Sequence, residues 1–378
     1  MNDFLYDLFA GEFWGGQFWP ALIKVVIGFV LLLVIVILLV WIERKLVADM
    51  QNRVGPSRAG PFGILQTVAD GLKLLFKESV TPRKVEYGIY LLAPIAALVP
   101  AMLIFMVLPL GRQFTITNSE GAQTVVTLQA ADLNIALLFV LAMSSLAVYA
   151  IVLGGWASGS KYPLLGGVRA TAQMISYEVA MGLSLVPVVL LVSAQTQGNS
   201  IGLGTMSMST IVAAQEGAFR GPIPAWFVFW LFPSFIIFFI AAIAETNRAP
   251  FDLVEAENEI VGGYHTEYSG FRFALFFLAE YLSIFNMCAV AVVVFFGGWL
   301  GPDFGLPAGI AWIMPIFWFL LKTMVLVFLF IWIRATLPRM RYDQLMQLGW
   351  KRLVPAGIAW LVLFALVTAW RRFGAPWS

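Results

Sequence analysis

The stretch Val25-Val-Ile-Gly-Phe-Val-Leu-Leu-Leu-Val-Ile-Val-Ile-Leu-Leu-Val-Trp-Ile42 contains no charged side chain. A helix of about 20 apolar residues crosses the ~30 Å hydrocarbon core of a bilayer. Similar apolar runs recur between polar breaks, so the sequence predicts an all-α polytopic membrane protein with about eight transmembrane helices. The predicted spans are residues 21–42, 86–110, 130–153, 170–194, 223–244, 272–298, 308–333 and 354–370, within a single integral membrane domain over residues 1–378.

The overall composition excludes several classes of protein. Apolar residues make up 61% of the chain and charged residues 12%, about half the charged share of a soluble domain. These values exclude a soluble enzyme and a disordered chain, and the long apolar runs argue against an outer-membrane barrel. With one cysteine, Cys288, and one histidine, His265, the chain cannot supply a four-cysteine metal site or a bis-histidine haem. We expect no metal and no cofactor bound by this chain.

The distribution of positive charge predicts the orientation in the membrane. Of the 23 Lys and Arg residues, 17 lie in the segments that follow spans one, three, five and seven, and four lie on the opposite side. Positively charged loops stay on the cytoplasmic side, so both termini are expected outside. The Thr-rich residues 111–129 are then expected to form a short outside hairpin.

The first inner segment contains a turn-rich stretch and an amphipathic helix. Residues 51–63 are rich in Gly and Pro, which set tight turns. Residues 62–77 then carry apolar side chains on one face and polar side chains on the other, which predicts a helix lying along the membrane surface. The pattern leaves two roles open: a surface anchor with solvated charges, or one wall of a cavity at the interface.

Two acids lie within predicted spans. Glu178 is nine residues beyond Arg169, and Glu280 is eight residues beyond Arg272, which puts them ~13 Å and ~12 Å along their helices. Acids inside a membrane are rare and usually functional. A proton relay is therefore the preferred interpretation, and a neutral carboxyl that only packs between helices is the alternative. Lys322 is a candidate charge partner, unless it extends to the interface or pairs elsewhere.

The third inner loop is acidic and therefore runs against the positive trend of that side. Within residues 244–270 it holds six acids and Arg248. An acidic segment near anionic lipid is unfavourable. One interpretation is a solvated acidic loop, and the other is compensation by the basic segment 43–85, which has eight Lys and Arg residues.

Several of these stretches together resemble one known family. They occur in order from residue 41 to about residue 350, nearly the whole chain: Glu43-Arg-Lys, Gln51-Asn-Arg-Val-Gly-Pro, Leu65-Gln with Ala69-Asp, Lys77-Glu, Gln173 with Ser176-Tyr-Glu, Glu245-Thr-Asn-Arg-Ala-Pro-Phe-Asp-Leu, Glu267-Tyr-Ser-Gly and Pro338-Arg-Met-Arg-Tyr-Asp-Gln-Leu-Met. The family is that of the membrane subunit known in mitochondria as subunit 1 of proton-pumping NADH:quinone oxidoreductase, or respiratory complex I.

The resemblance implies a subunit of an enzyme whose FMN and iron–sulfur clusters are on partner subunits, with quinone as substrate. The implied partners are the other membrane-arm subunits, the quinone-site and iron–sulfur subunits of the peripheral arm, and lipid, with no nucleic acid. The implied quinone tunnel and its adjoining acidic path include Arg44, Arg53, Phe251, Asp252, Glu255 and Glu257. The implied charge path into the membrane includes Glu43, Asp70, Glu178, Glu245 and Glu280.

Two other functions are weighed against this one. The related membrane subunit of energy-converting hydrogenases would share the core of the third loop, but the run from Phe251 to Glu257 resembles the quinone-reducing branch. An ion-coupled secondary transporter usually has two halves with matching broken helices, and no such pairing is found here. A bacterial plasma membrane is the expected location, with the mitochondrial inner membrane as the alternative.

Overall fold

The computed structural model describes residues 18–117, 123–126, 128–196, 206–220, 223–252, 261–302 and 313–373. Helices dominate this part of the chain. In chain order they are α1 (Phe18–Met50), α2 (Leu65–Phe76), α3 (Tyr87–Val107), α4 (Ala136–Ala157), α5 (Lys161–Thr196), α6 (Met208–Ala213), α7 (Phe232–Glu245), α8 (Phe271–Phe295), α9 (Ile313–Thr336), α10 (Tyr342–Leu348) and α11 (Val354–Phe373).

Seven helical segments of the described residues are long and apolar enough to cross a membrane. They are α1, α3, α4, α5, α8, α9 and the continuous unit of α10 and α11, which a π-helical turn at Gly349–Leu353 joins. The all-α polytopic fold is thereby confirmed. The predicted fifth span, 223–244, is shorter than expected: α7 has 14 residues, or ~21 Å. Pro233, in the first turn of α7, favours a helix start at this point.

Two helices extend well beyond their predicted bounds. α5 begins at Lys161 rather than near residue 170, and α1 continues to Met50. Pro163 lies in the first turn of α5, where proline is tolerated because the first amide groups have no intrahelical partner. These extensions carry polar residues of the loops on rigid helices, which positions them more firmly than a flexible loop would.

The centre of the bundle is α8. Almost every residue from Tyr281 to Phe295 is buried, and the helix packs against α1, α2, α3, α6, α7 and α9. By contrast, α1 and α11 expose many apolar side chains, including Ile27, Val30 and Leu366. Exposed apolar faces of this size require lipid or a neighbouring subunit to cover them.

The helix α2 lies within the segment predicted to be amphipathic, 62–77. Its apolar side chains Leu65, Leu72, Leu75 and Phe76 are each at least half exposed, and none of its residues is buried. The turn before it needs glycine: Gly63 has φ +79°, and a Cβ there would lie 2.3 Å from the Pro56 carbonyl oxygen. The apolar face of α2 is thus available to a membrane surface.

Two short antiparallel strand pairs lie between helices in the part of the chain that the structure describes. β1 (Phe114–Thr117) pairs with β2 (Gln123–Val126), within the residues where the sequence predicts a hairpin. β3 (Ala218–Arg220) pairs with β4 (Ile223–Pro224) just before α7.

Candidate functional site

Four charged side chains from four segments meet near the end of the bundle where α1, α7 and α9 terminate. We call Glu43, Arg248, Glu280 and Arg334 the ion-pair cluster. Arg248 Nε lies 2.6 Å from Glu280 Oε1, and Arg248 Nη1 lies 3.9 Å from Glu43 Oε1. Arg334 also pairs with Glu43. The side chains of Glu43, Arg248 and Glu280 are at most 14% exposed, so mutual pairing offsets the cost of removing these charges from water.

The turn that follows α7 carries Arg248 into the cluster. We call residues 245–251 the α7 turn. Asn247 adopts φ +52°, and the Phe251 amide donates to the Arg248 carbonyl at 2.8 Å, which closes the turn. The guanidinium of Arg248 lies 4.5 Å from the centroid of the Tyr281 ring. This stacking adds a cation–π contact to the ion pairs and fixes the direction of the arginine.

A cavity adjoins the ion-pair cluster. It lies between α1, α8 and α9. One part of its wall is polar, with Tyr281 and three members of the cluster, and the other part is aliphatic and aromatic. The lining residues are Leu39, Glu43, Arg248, Tyr281, Ile284, Val327, Phe330, Ile331 and Arg334.

A second acidic group lies where α4, α5 and α7 meet. Glu178 accepts a short hydrogen bond from the Ser145 hydroxyl. Glu245, the last residue of α7, is 5% exposed, and Glu178 is near enough to act on it electrostatically. The Oε2 atom of Glu245 accepts no hydrogen bond from the residues that the structure describes. A buried carboxyl with an unused acceptor is costly to keep ionised, so this group is suited to taking up a proton.

A third pair joins α1 to α2. Arg44 Nη1 lies 2.5 Å from Asp70 Oδ2, and Gln66 donates to the other Asp70 oxygen at 3.3 Å. Partial burial raises the pKa of Asp70, but the hydrogen bond and charge of Arg44, with smaller contributions from Gln66 and Lys73, together outweigh it and hold the pKa below its ordinary value of 3.8. Asp70 therefore stays ionised at neutral pH and holds α2 against the end of α1.

The structure brings most of the predicted site residues together in pairs, but not all of them. Phe251 is 4% exposed and lies 5.6 Å from Tyr177 between ring centroids, whereas Asp252 is half-buried. Arg53 is exposed and donates to Gln51 within its own turn, at 2.6 Å. Glu255 and Glu257 lie outside the described residues, and so compensation of the acidic loop by segment 43–85 stays a prediction.

The sequence alone assigned no role to Arg248 and Arg334, which complete the cluster, or to Tyr281, whose ring lies against Arg248. One signal was present in α9: Val327, Phe330, Ile331 and Arg334 follow helical spacing, so the arginine continues an apolar face. For Lys322 the sequence left three alternatives open, and the structure shows it paired with groups other than the acids Glu178 and Glu280. Its Nζ donates to three backbone carbonyls beyond the end of α8, those of Phe296, Gly298 and Leu300.

The single histidine is part of an aromatic cluster. His265 is 8% exposed and packs against Tyr264, Phe273 and Phe276. Burial, together with the smaller effect of the positive charge of Arg248, lowers its pKa to about 3. His265 is therefore neutral throughout the physiological range.

The fold and the site together define a polytopic helical membrane protein that holds buried, mutually paired carboxylates and arginines. A family model described as NADH dehydrogenase matches residues 23–365, and the chain belongs to this family. Membership makes it a membrane component of a multisubunit oxidoreductase complex.

Proposed function

We propose that this chain is the membrane subunit, equivalent to mitochondrial subunit 1, that links the two arms of proton-pumping NADH:quinone oxidoreductase. In this proposal it forms the access route for quinone and carries the carboxylates that couple quinone reduction to proton translocation. Family membership and the ordered motifs from residue 41 to about residue 350 support it. FMN, the iron–sulfur clusters and NADH oxidation belong to partner subunits of the peripheral arm.

The observation that carries the proposal is the cavity beside the ion-pair cluster. An aliphatic and aromatic wall with a charged end suits an amphipathic molecule that has an apolar tail and a polar ring. The exposed apolar face of α2 suits entry of such a molecule from the lipid. Arg44 and Asp70, which hold α2 to α1, would then position one side of the entrance.

The chemistry explains why charged groups are needed here. Reduction of a quinone to a quinol takes up two electrons and two protons, so negative charge develops on the ring before the protons arrive. A charge that appears beside the ion-pair cluster changes the strength of the ion pairs that Arg248 forms with Glu43 and Glu280. Because Arg248 is shared by Glu43 and Glu280, a change in the charge of one member alters the pairing of the others.

The α7 turn continues this path. Arg248 contacts Glu280 on one side of the turn, and Glu245 at its start lies near Glu178 on the other. Ser145 and Glu178 extend the polar route between α4 and α5. In this proposal the proton or charge passes from the cluster through the turn to Glu245 and Glu178. The complex would lie in a bacterial plasma membrane with both termini of this chain outside.

Glu178→Gln in the native complex tests this route. The amide keeps an acceptor for the Ser145 hydroxyl but no longer titrates, so the complex should assemble while quinone reductase activity and proton pumping fall by about tenfold, the factor for ~1.4 kcal/mol in a barrier. Asp343→Asn is the matched control, because Asp343 forms an exposed ion pair with Arg341 at 2.9 Å. It should leave both activities unchanged.

Electron transfer from NADH to a water-soluble artificial acceptor is measured in parallel, since it does not require the quinone route. Full pumping and full quinone reduction by assembled Glu178→Gln complex would remove Glu178 from the path. Copurification of this chain with a nickel–iron subunit, in place of flavin and iron–sulfur subunits, would contradict the proposed function itself.

A further inference from the structure

Gln173, on α5, has a fully buried side chain. It has no part in the proposed charge path from the ion-pair cluster to Glu178. It has no solvent exposure. Its Nε2 donates two hydrogen bonds, to the Ala244 carbonyl oxygen at 2.7 Å and to the Phe251 carbonyl oxygen at 2.9 Å. One amide group therefore bridges the residue before the α7 turn and the last residue of that turn.

The two bridged carbonyls flank the residues on which the path depends. Glu245 begins the turn and lies near Glu178, whereas Arg248 lies at its centre and binds Glu280. The last carbonyl groups of a helix have no partner four residues on, and the Ala244 carbonyl accepts a long bond of 3.3 Å from the Asn247 amide, which leaves room for a second donor. Gln173 supplies such a donor from a neighbouring rigid helix.

Further contacts hold the outside of the turn. Asn247 Nδ2 contacts the Met174 sulfur on α5 at 3.5 Å, and the Met340 amide donates to the Pro250 carbonyl at 2.9 Å. Neither of these contacts spans the turn from end to end. Of the described residues, Gln173 is the one whose side chain hydrogen-bonds to both flanking carbonyls.

We infer that Gln173 is a positioning residue that clamps the α7 turn and so sets the relative placement of Glu245 and Arg248. This inference rests on the proposed function, because it assigns Gln173 to the step between the ion-pair cluster and the Glu178–Glu245 group. Without the clamp the turn widens, and the two charged groups no longer keep the spacing that lets a change at one reach the other.

The chain offers a matched control in Gln215. This glutamine is also fully buried, and its Nε2 donates to the carbonyls of Ile211, Val293 and Val294 at 3.0–3.3 Å. It braces the far end of α8, remote in the fold from the ion-pair cluster. Loss of either amide costs hydrogen bonds in a buried site, but only the loss of Gln173 loosens the α7 turn.

The experiment compares Gln173→Met, Gln173→Glu and Gln215→Met in the native complex. Methionine keeps the length of the side chain and removes both donors. Burial favours the neutral form of a glutamic acid, whose O–H group retains one donor, so Gln173→Glu should restore part of what methionine loses. Quinone reductase kinetics, electron transfer to the artificial acceptor, and hydrogen–deuterium exchange of residues 246–251 are measured for each variant.

Gln173→Met should lower kcat for quinone by about tenfold, the rate factor for ~1.4 kcal/mol, while KM and transfer to the artificial acceptor stay near wild type. The rate of hydrogen–deuterium exchange in residues 246–251 should rise by a similar factor. Gln173→Glu should give intermediate values of both kcat and this exchange rate. Gln215→Met should leave kcat per assembled complex and exchange in the α7 turn unchanged.

Two outcomes would overturn the inference. In one, Gln173→Met behaves like Gln215→Met, with both electron-transfer activities reduced in proportion to assembly. In the other, exchange in residues 246–251 does not change. A wild-type complex that reduces no quinone would overturn the proposed function instead, and the exchange data would still decide whether Gln173 holds the turn.

Discussion

The two ends of α8 satisfy buried polar groups in different ways. At its first half, Glu280 meets Arg248 in the ion-pair cluster, where charge is paired with charge. Beyond its last residue, Lys322 donates to three backbone carbonyls at 2.5–3.0 Å and lies 4.6 Å from the centroid of the Trp226 ring. We call these the ion-pair end and the carbonyl end of α8.

Under the proposed function, the ion-pair end takes part in charge transfer and the carbonyl end holds the helices together. Backbone carbonyls do not titrate, so the partners of Lys322 keep their charge state whatever happens nearby. The carboxylates of the ion-pair end pair with arginines, and Glu43 is shared between two of them. Both ends contain buried charge, but the ion-pair end pairs it with opposite charge and the carbonyl end pairs it with neutral backbone groups.

The largest effect is expected from Arg248→Met. Removal of this guanidinium leaves Glu280 without its 2.6 Å partner and Glu43 with Arg334 alone. Breaking a buried pair from one side costs about 3–5 kcal/mol. We expect quinone reductase activity to fall by at least about a hundredfold, the factor for ~2.7 kcal/mol, together with lower assembly.

Kinetics on purified complex, normalised to the amount of this subunit, would measure that loss. Arg248→Lys is the control, because it keeps the charge and loses the paired donor geometry, and it should retain part of the activity. An Arg248→Met complex that is fully active would show that the cluster is only structural.

A smaller and different effect is expected from Lys322→Met at the carbonyl end. The three carbonyls then lose their donor, and leaving a buried polar group unsatisfied costs about 1–3 kcal/mol. Thermal stability and yield of the complex should fall, while kcat for quinone per assembled complex stays near wild type. A loss of kcat without a loss of stability would contradict the division between the two ends.

The smallest effect is expected from Asp70→Asn. Arg44 is 43% exposed and Asp70 27% exposed, and ion pairs at such sites contribute less than about 1 kcal/mol. Because the pKa of Asp70 lies below 3.8 in the folded protein, its stabilising contact is complete above that value and is lost as the pH falls through the folded-state pKa.

Between pH 5 and pH 8, therefore, the Arg44–Asp70 contact should not change. The ratio of quinone reductase activity in Asp70→Asn to that in wild type should be constant across this range and should approach one at high salt. A ratio that varies strongly with pH over this range would mean that Asp70 exchanges protons during turnover.

The sequence by itself determined the class of the protein. Apolar runs such as residues 25–42 specify transmembrane helices because the bilayer requires every backbone polar group to be satisfied within the segment. Glycine and proline located the turn before α2, since Gly63 adopts a positive φ. Motif order from residue 41 onward indicated a subunit of NADH:quinone oxidoreductase, and the match over residues 23–365 shows the NADH dehydrogenase family.

Only the tertiary structure decided which charges meet. Glu43, Arg248, Glu280 and Arg334 come from distant parts of the chain, and no local rule pairs side chains across four segments. The same holds for Lys322, which turns to carbonyls at the end of the preceding helix rather than to a carboxylate. Hydropathy reports whether a segment enters the membrane, but the partners of a buried charge depend on how the helices pack, which a single sequence does not encode locally.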